Sequence, residues 1–218
     1  MAADARGDVI GVASGVAAER AALERRARLL AWGGNAWHLV ELGVALAAGI
    51  AAGSVALVGF GLDSLIELAA GGVVIWLFTG GRGSSERAER RAQQLVAAGY
   101  GLLVVYIVVA SLRDLLGSHR PAASWAGVGL AVAAAATRPL LARAKRRTGR
   151  ALGSSATVGE AGQNLLCAYL SVALLAGLLA NALAGWWWAD PAAALVIAAV
   201  AANEGVETLR GEGCDDCC

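Results

Sequence analysis

The chain has 218 residues, of which 58% are hydrophobic, and a formal net charge of +1. Apolar runs of that extent exclude an ordinary soluble domain and indicate a multi-pass membrane protein, while the balanced charge gives no bulk electrostatic argument for any partner. The four cysteines avoid the outer loops, with Cys167 inside an apolar run and Cys214, Cys217 and Cys218 at the end of the chain, which excludes a disulfide framework.

Residues 1–28 are polar, Ala-rich and charged. They contain no short apolar segment with a cleavage site, so they read as a cytosolic lead-in rather than a secretory signal. Arg25, Arg26 and Arg28 then sit at the inner-leaflet headgroups. The first span, 29–51, carries Asn35, His38 and Glu41 at intervals of three. Spaced in this way, they face the bundle interior. His38 reads equally as a histidine bonded across helices near the inner interface and as a ligand. Glu41, near mid-depth, is the stronger functional candidate, either supporting a metal site or carrying a proton.

The second span, 54–78, reads SVALVGFGLDSLIELAAGGVVIWLF and holds Asp63 and Glu67 in an otherwise apolar run. At about 1.5 Å per residue it crosses a hydrocarbon core of about 30 Å. Residues four apart share a helix face, so the two carboxylates project together. An ionised carboxylate at the bilayer centre costs at least about 2.5 kcal/mol, which makes the pair half of a metal or proton site. The alternative is a pair of neutral, internally bonded acids that fix packing. Gly59, Gly61, Gly71 and Gly72 flank the acids and read as packing residues.

A charged loop with Arg82, Arg87, Arg90 and Arg91 leads to a third span, 94–112, which has no interior charge and reads as scaffold. A turn through Asp114, His119, Arg120 and Pro121 leads to a fourth span, 122–137, whose helix runs on past Pro139 into LLARAKRRTGR. This basic run has no interleaved aromatics and reads as a topology signal, not a nucleic-acid surface. Arg113 and Arg120 are the only Lys or Arg residues in the alternate loops, so both termini are expected in the cytosol.

The fifth span, 156–183, places Glu160, Gln163 and Cys167 at i, i+3 and i+7 on one stripe. Asp63 is about 14 Å from the outer end of its helix and Cys167 about 17 Å from the inner end of its own, and the same count sets Glu67 level with Gln163. The two polar faces can therefore meet near the midplane. WWWADP follows, with three tryptophans suited to the outer interface and Asp190 in the position of an N-cap before Pro191. The sixth span, 191–206, brings Glu204 and Glu207 to the inner interface. Residues 212–218 form a tail in which Cys214, Asp215, Asp216, Cys217 and Cys218 read equally as a compact soft-metal chelator and as incidental composition.

Six spans with acids at matched depth resemble the cation diffusion facilitator superfamily over residues 29–211. The second span is similar to the family's metal-site helix, a serine-initiated apolar helix with a histidine or aspartate followed four residues later by an aspartate. Asp63 and Glu67 stand at those positions. The family's acid, histidine and aspartate at i, i+3 and i+7 of the fifth span map onto Glu160, Gln163 and Cys167, and LLAGLLANALAGWWWADPAAALVIA looks like its fifth-to-sixth passage. Gln163 and Cys167 depart from the usual histidine and aspartate, and the usual cytosolic metal-binding domain does not follow the sixth span. The chain therefore looks like an abbreviated branch, as in vesicular zinc-efflux proteins that lack that domain.

The fold this implies is an all-α membrane protein, a cation-efflux-type bundle of six transmembrane helices with both termini cytosolic. Its parts are a lead-in (1–28), a transport domain (29–211) and a tail (212–218). The implied function is efflux of a divalent cation by alternating access in exchange for protons. Its metal site comprises Asp63, Glu67 and Cys167, with Glu160 and Gln163 beside them and Glu41 in support. Zinc accepts both sulfur and carboxylate ligands, so zinc and softer ions gain over magnesium and calcium. The alternative is a membrane metal-binding or regulatory protein without turnover. No nucleophile–base pair, phosphate loop or metalloprotease signature marks an enzyme. The expected partners are the divalent metal ion, protons and the lipid bilayer, with a homodimer among the options and no nucleic acid. The transported ion takes the place of a cofactor, and the expected location is the cell (inner) membrane.

Overall fold

The computed structural model describes the backbone over residues 4–79, 86–117, 120–153 and 155–210, and side chains over 17–69, 94–117, 120–153, 157–158 and 160–210. The 212–218 tail and His119 lie outside the described residues. Among the described residues six helices follow one another: α1 (Asp4–Ala52), α2 (Val55–Thr79), α3 (Glu86–Gly117), α4 (Trp125–Leu152), α5 (Ser155–Ala184) and α6 (Ala189–Arg210). Among the described residues, five helical stretches are long and apolar enough to cross a bilayer: Ala17–Ala52, Gln94–Gly117, Trp125–Leu152, Glu160–Ala184 and Ala189–Arg210. Lying among them, α2 has 25 residues with Asp63 and Glu67 as its only charges. The chain is an all-helical integral membrane protein.

The lead-in and the first span form one continuous helix of 49 residues. The Ala, Glu, Arg and Leu residues of ERAALERRARLL are strong helix formers, and no proline or cap interrupts them. The fourth helix continues through Pro139, as the sequence suggests. Its basic half, however, is more than a topology signal. Arg138, Ala142, Lys145 and Gly149 are all buried and recur at helical spacing, so the helix turns two of its cations into the protein.

At the centre of the bundle, α2 contacts α1, α3, α5 and α6, while α4 pairs with α5 and α3 with α6. Small residues permit the closest crossings. A Cβ on Gly177 would stand 2.7 Å from Ala193 Cβ and 3.0 Å from the Ala189 carbonyl oxygen, so α5 and α6 meet almost backbone to backbone. Gly59 and Gly61 face Ile107 and Ala45 in the same manner, which bears out their reading as packing residues.

The α1–α2 hairpin recurs as the α4–α5 hairpin at an offset of one hundred residues. Gly53 and Gly153 close the two turns at φ 65° and 64°, a left-handed conformation that glycine adopts without strain. Before each turn a glycine abuts the next helix with the same geometry: a Cβ at Gly49 would lie 2.8 Å from Val58 Cγ2 and 2.9 Å from its nitrogen, and at Gly149 2.9 Å from Val158 Cγ2 and 3.0 Å from its nitrogen. The two hairpins run in opposite directions. Gly34 faces Lys145 and Leu141, Glu41 meets Arg138, and the Ala122 N–H donates to the Ala52 carbonyl at 2.8 Å, so residue numbers rise along α1 as they fall along α4. At the same offset, His38 matches Arg138, Asp63 matches Gln163, and Glu67 matches Cys167.

Candidate metal centre

The depth and rotation of α2 are fixed at its first turn. The Leu57 N–H donates to Ser54 Oγ at 3.1 Å, making Ser54 an N-cap. Ser54 Oγ in turn donates to Asp190 Oδ1 at 2.5 Å, and the Ala56 N–H donates to Asp190 Oδ2 at 3.3 Å. Asp190 is therefore a cap, but of α2 rather than of its own helix as the sequence suggests. The carboxylate reaches the nearest orphan amides across the helix interface because α6 begins at Ala189 and runs beside α2. The Trp186 and Trp188 rings next to it stack with centroids 5.7 Å apart.

Two and three turns further along, α2 presents Asp63 and Glu67 to α5. Asp63, Glu67 and Cys167 each offer one ligand atom, and these atoms all lie within 4.8 Å of one another. Cys167 Sγ donates to Glu67 Oε1 at 2.6 Å, and Gln163 Nε2 reaches the same oxygen at 3.5 Å. Asp63 is buried, and its Oδ2 has no hydrogen-bond partner among the described residues. An unpartnered carboxylate oxygen in an apolar interior is destabilising unless a ligand completes it. Two carboxylates and a thiol converge here, with an amide at hand for a fourth position. This donor set suits a tetrahedral ion that accepts both sulfur and oxygen.

Four of the six expected site residues thus come together: Asp63, Glu67, Gln163 and Cys167. The other two are engaged elsewhere. Glu160 shares a stripe with Gln163 and Cys167 but lies about 10 Å along the helix from Cys167. Its carboxylate is 46% exposed and pairs with Lys145 Nζ at 3.1 Å. Glu41 is fully buried and held by Arg138, whose Nε and Nη2 donate to Oε1 and Oε2 at 3.0 and 2.6 Å. His38 Nδ1 lies 3.0 Å from Glu67 Oε2 and 3.3 Å from Glu41 Oε2, which places it as a histidine linking α1 to α2 beside the cluster.

Sequence reasoning missed Arg138. Its side chain is completely buried, its two terminal nitrogens approach Glu67 Oε2 at 3.5 Å, and its guanidinium lies 5.6 Å above the Phe60 ring. In the sequence it opens a stretch of six Arg and Lys residues, from Arg138 to Arg150. The available signal was its place one helical repeat before Ala142 and Lys145 on the apolar face, and one hundred positions after His38.

Apolar helices around a buried nest of carboxylates define an integral membrane protein built to handle cations. The chain belongs to the cation efflux family: the model of the cation efflux transmembrane domain matches residues 37–212, bearing out the resemblance carried by the second and fifth spans. It is accordingly a membrane cation transporter. Comparison with curated proteins gives no match.

Proposed function

We propose that this protein exports a divalent, zinc-like cation in exchange for protons, with Asp63, Glu67 and Cys167 as ligands and Gln163 beside them. The convergence of three donor atoms within 4.8 Å supports this reading most directly. Carboxylates and a thiol must shed protons to ligate, so metal and protons compete for one site and cross in opposite directions. The concentration of Lys and Arg at the start of α1, after α2 and in the second half of α4 favours cytosolic termini in a cell membrane, with cargo entering from the cytosol. Opposed hairpins meeting at a midplane site are an arrangement suited to alternating access by rocking of one part against another. The reading is of a transporter, not an enzyme.

Zinc flux in proteoliposomes tests it. Transport into an acidic lumen should outpace transport without a proton gradient, and Asp63→Asn and Glu67→Gln should each abolish flux while leaving the protein folded. Full flux in the double variant would refute the site. Metal binding without flux would make the protein a binder or regulator.

A further inference from the structure

Glu67 divides its two oxygens between different neighbours. Oε1 meets Cys167 Sγ at 2.6 Å and Gln163 Nε2 at 3.5 Å, on the side of the Asp63 cluster. Oε2 faces His38 Nδ1 at 3.0 Å and both terminal nitrogens of Arg138 at 3.5 Å. Arg138 is not free to turn away, because its fork grips both oxygens of Glu41 at 3.0 and 2.6 Å and the Phe60 ring lies beneath it. The short bidentate contact is an anchor, and the long one to Glu67 is held loose by it.

We propose that Arg138 is a positioning residue: a resident cation, anchored by Glu41, that supplies counter-charge to Glu67 when no cargo is bound and weakens that carboxylate's hold on the cargo enough for release. This rests on the reading of Asp63, Glu67 and Cys167 as the metal site. Two buried carboxylates with no cation nearby are costly in an apolar interior, so an empty site needs a charge that stays behind. The same charge opposes a divalent ion bound to the near oxygen, since like charges in a medium of low dielectric repel strongly. Transport requires binding tight enough to capture and loose enough to let go. Glu41 sets that balance by limiting how far the guanidinium can lean toward Glu67.

The test measures zinc affinity by competition with a chromophoric chelator on the purified full chain in detergent, and zinc flux in proteoliposomes. Glu41→Gln breaks the anchor and lets the guanidinium close on Glu67, so zinc affinity should fall at least about tenfold. Glu41→Gln with Arg138→Met removes the cation with no change in net charge, so affinity should rise at least about tenfold while KM and the maximal rate fall together. Opposite shifts from nested variants are not what a purely structural role would give. Shifts in the same direction, or no shift in either, would overturn the proposal. If the double variant does not purify as a single species, unchanged or tighter binding by Glu41→Gln alone would overturn it. Asp63→Asn separates the two readings. Lost binding there with no shift in Glu41→Gln overturns the role of Arg138 alone, whereas unaltered binding there overturns the metal site and this role with it.

Discussion

Replacing Asp190 by alanine should loosen α2, the helix on which the whole site depends. The side chain is buried and accepts two hydrogen bonds, at 2.5 Å from the Ser54 hydroxyl and at 3.3 Å from the Ala56 amide. A hydrogen bond to a charged acceptor contributes about 1.5–3 kcal/mol, and the second bond, near the long limit, belongs at the bottom of that range. The carboxylate also faces the positive end of α2, worth roughly 0.3–1 kcal/mol more. A loss of about 3–5.5 kcal/mol follows, and at about 2–4 °C per kcal/mol for a chain of this size the melting point should fall by about 6–22 °C. The assay is thermal unfolding in detergent of Asp190→Ala, Ser54→Ala and the double variant. The two single effects should overlap, with a coupling energy of about 1 kcal/mol or more. A melting point within about 1 °C of wild type, or strictly additive effects, would refute the cross-helix cap.

Cys167→Ser should shift selectivity among zinc, cadmium and manganese toward the harder ions, as read by competition in flux assays, because it exchanges a soft donor for a hard one. Glu160→Gln should leave zinc affinity within about twofold of wild type by chelator competition, since its carboxylate pairs with Lys145 outside the cluster. Gly49→Ala and Gly149→Ala should destabilise by similar amounts, about 1–3 kcal/mol each in thermal unfolding, because a new Cβ meets Val58 or Val158 at under 3 Å. Gly33→Ala, with nothing within 4 Å, is the control and should not lower the melting point.

The helices and the meeting of Asp63 and Glu67 with Gln163 and Cys167 were legible in the sequence because both follow from local rules. A long apolar run must be helical in a membrane, and 1.5 Å per residue converts sequence position into depth. Engagements made across distance were not legible. Nothing near Glu41 in the sequence reveals that Arg138, 97 positions away, takes its carboxylate, and Asp190 reaches Ser54 across 136 positions. Glu160 misled because a stripe defines a direction and not a depth: it points the same way as Cys167 but lies a full two turns nearer the helix start. Arg138 was obscured by its neighbours, since a basic run suggests solvent and headgroups until the helical period is applied to it residue by residue.

The hundred-residue offset has a consequence for motion. If the two hairpins are interchangeable in shape, the contacts each makes with the third helix of the other half are candidates for interchange as well. In this structure α2 leans on α6, whereas among the described residues the matching pair, α5 and α3, barely touch. That imbalance breaks the equivalence of the halves. A mirror arrangement would set α5 against α3 and release α2 while keeping the turns at Gly53 and Gly153 and the close approaches at Gly49 and Gly149. A pair of cysteines placed on α3 and α5 should therefore crosslink only in molecules caught in the exchanged arrangement. Metal at the centre of the offset, between Glu67 and its counterpart Cys167, would be held by partners common to both.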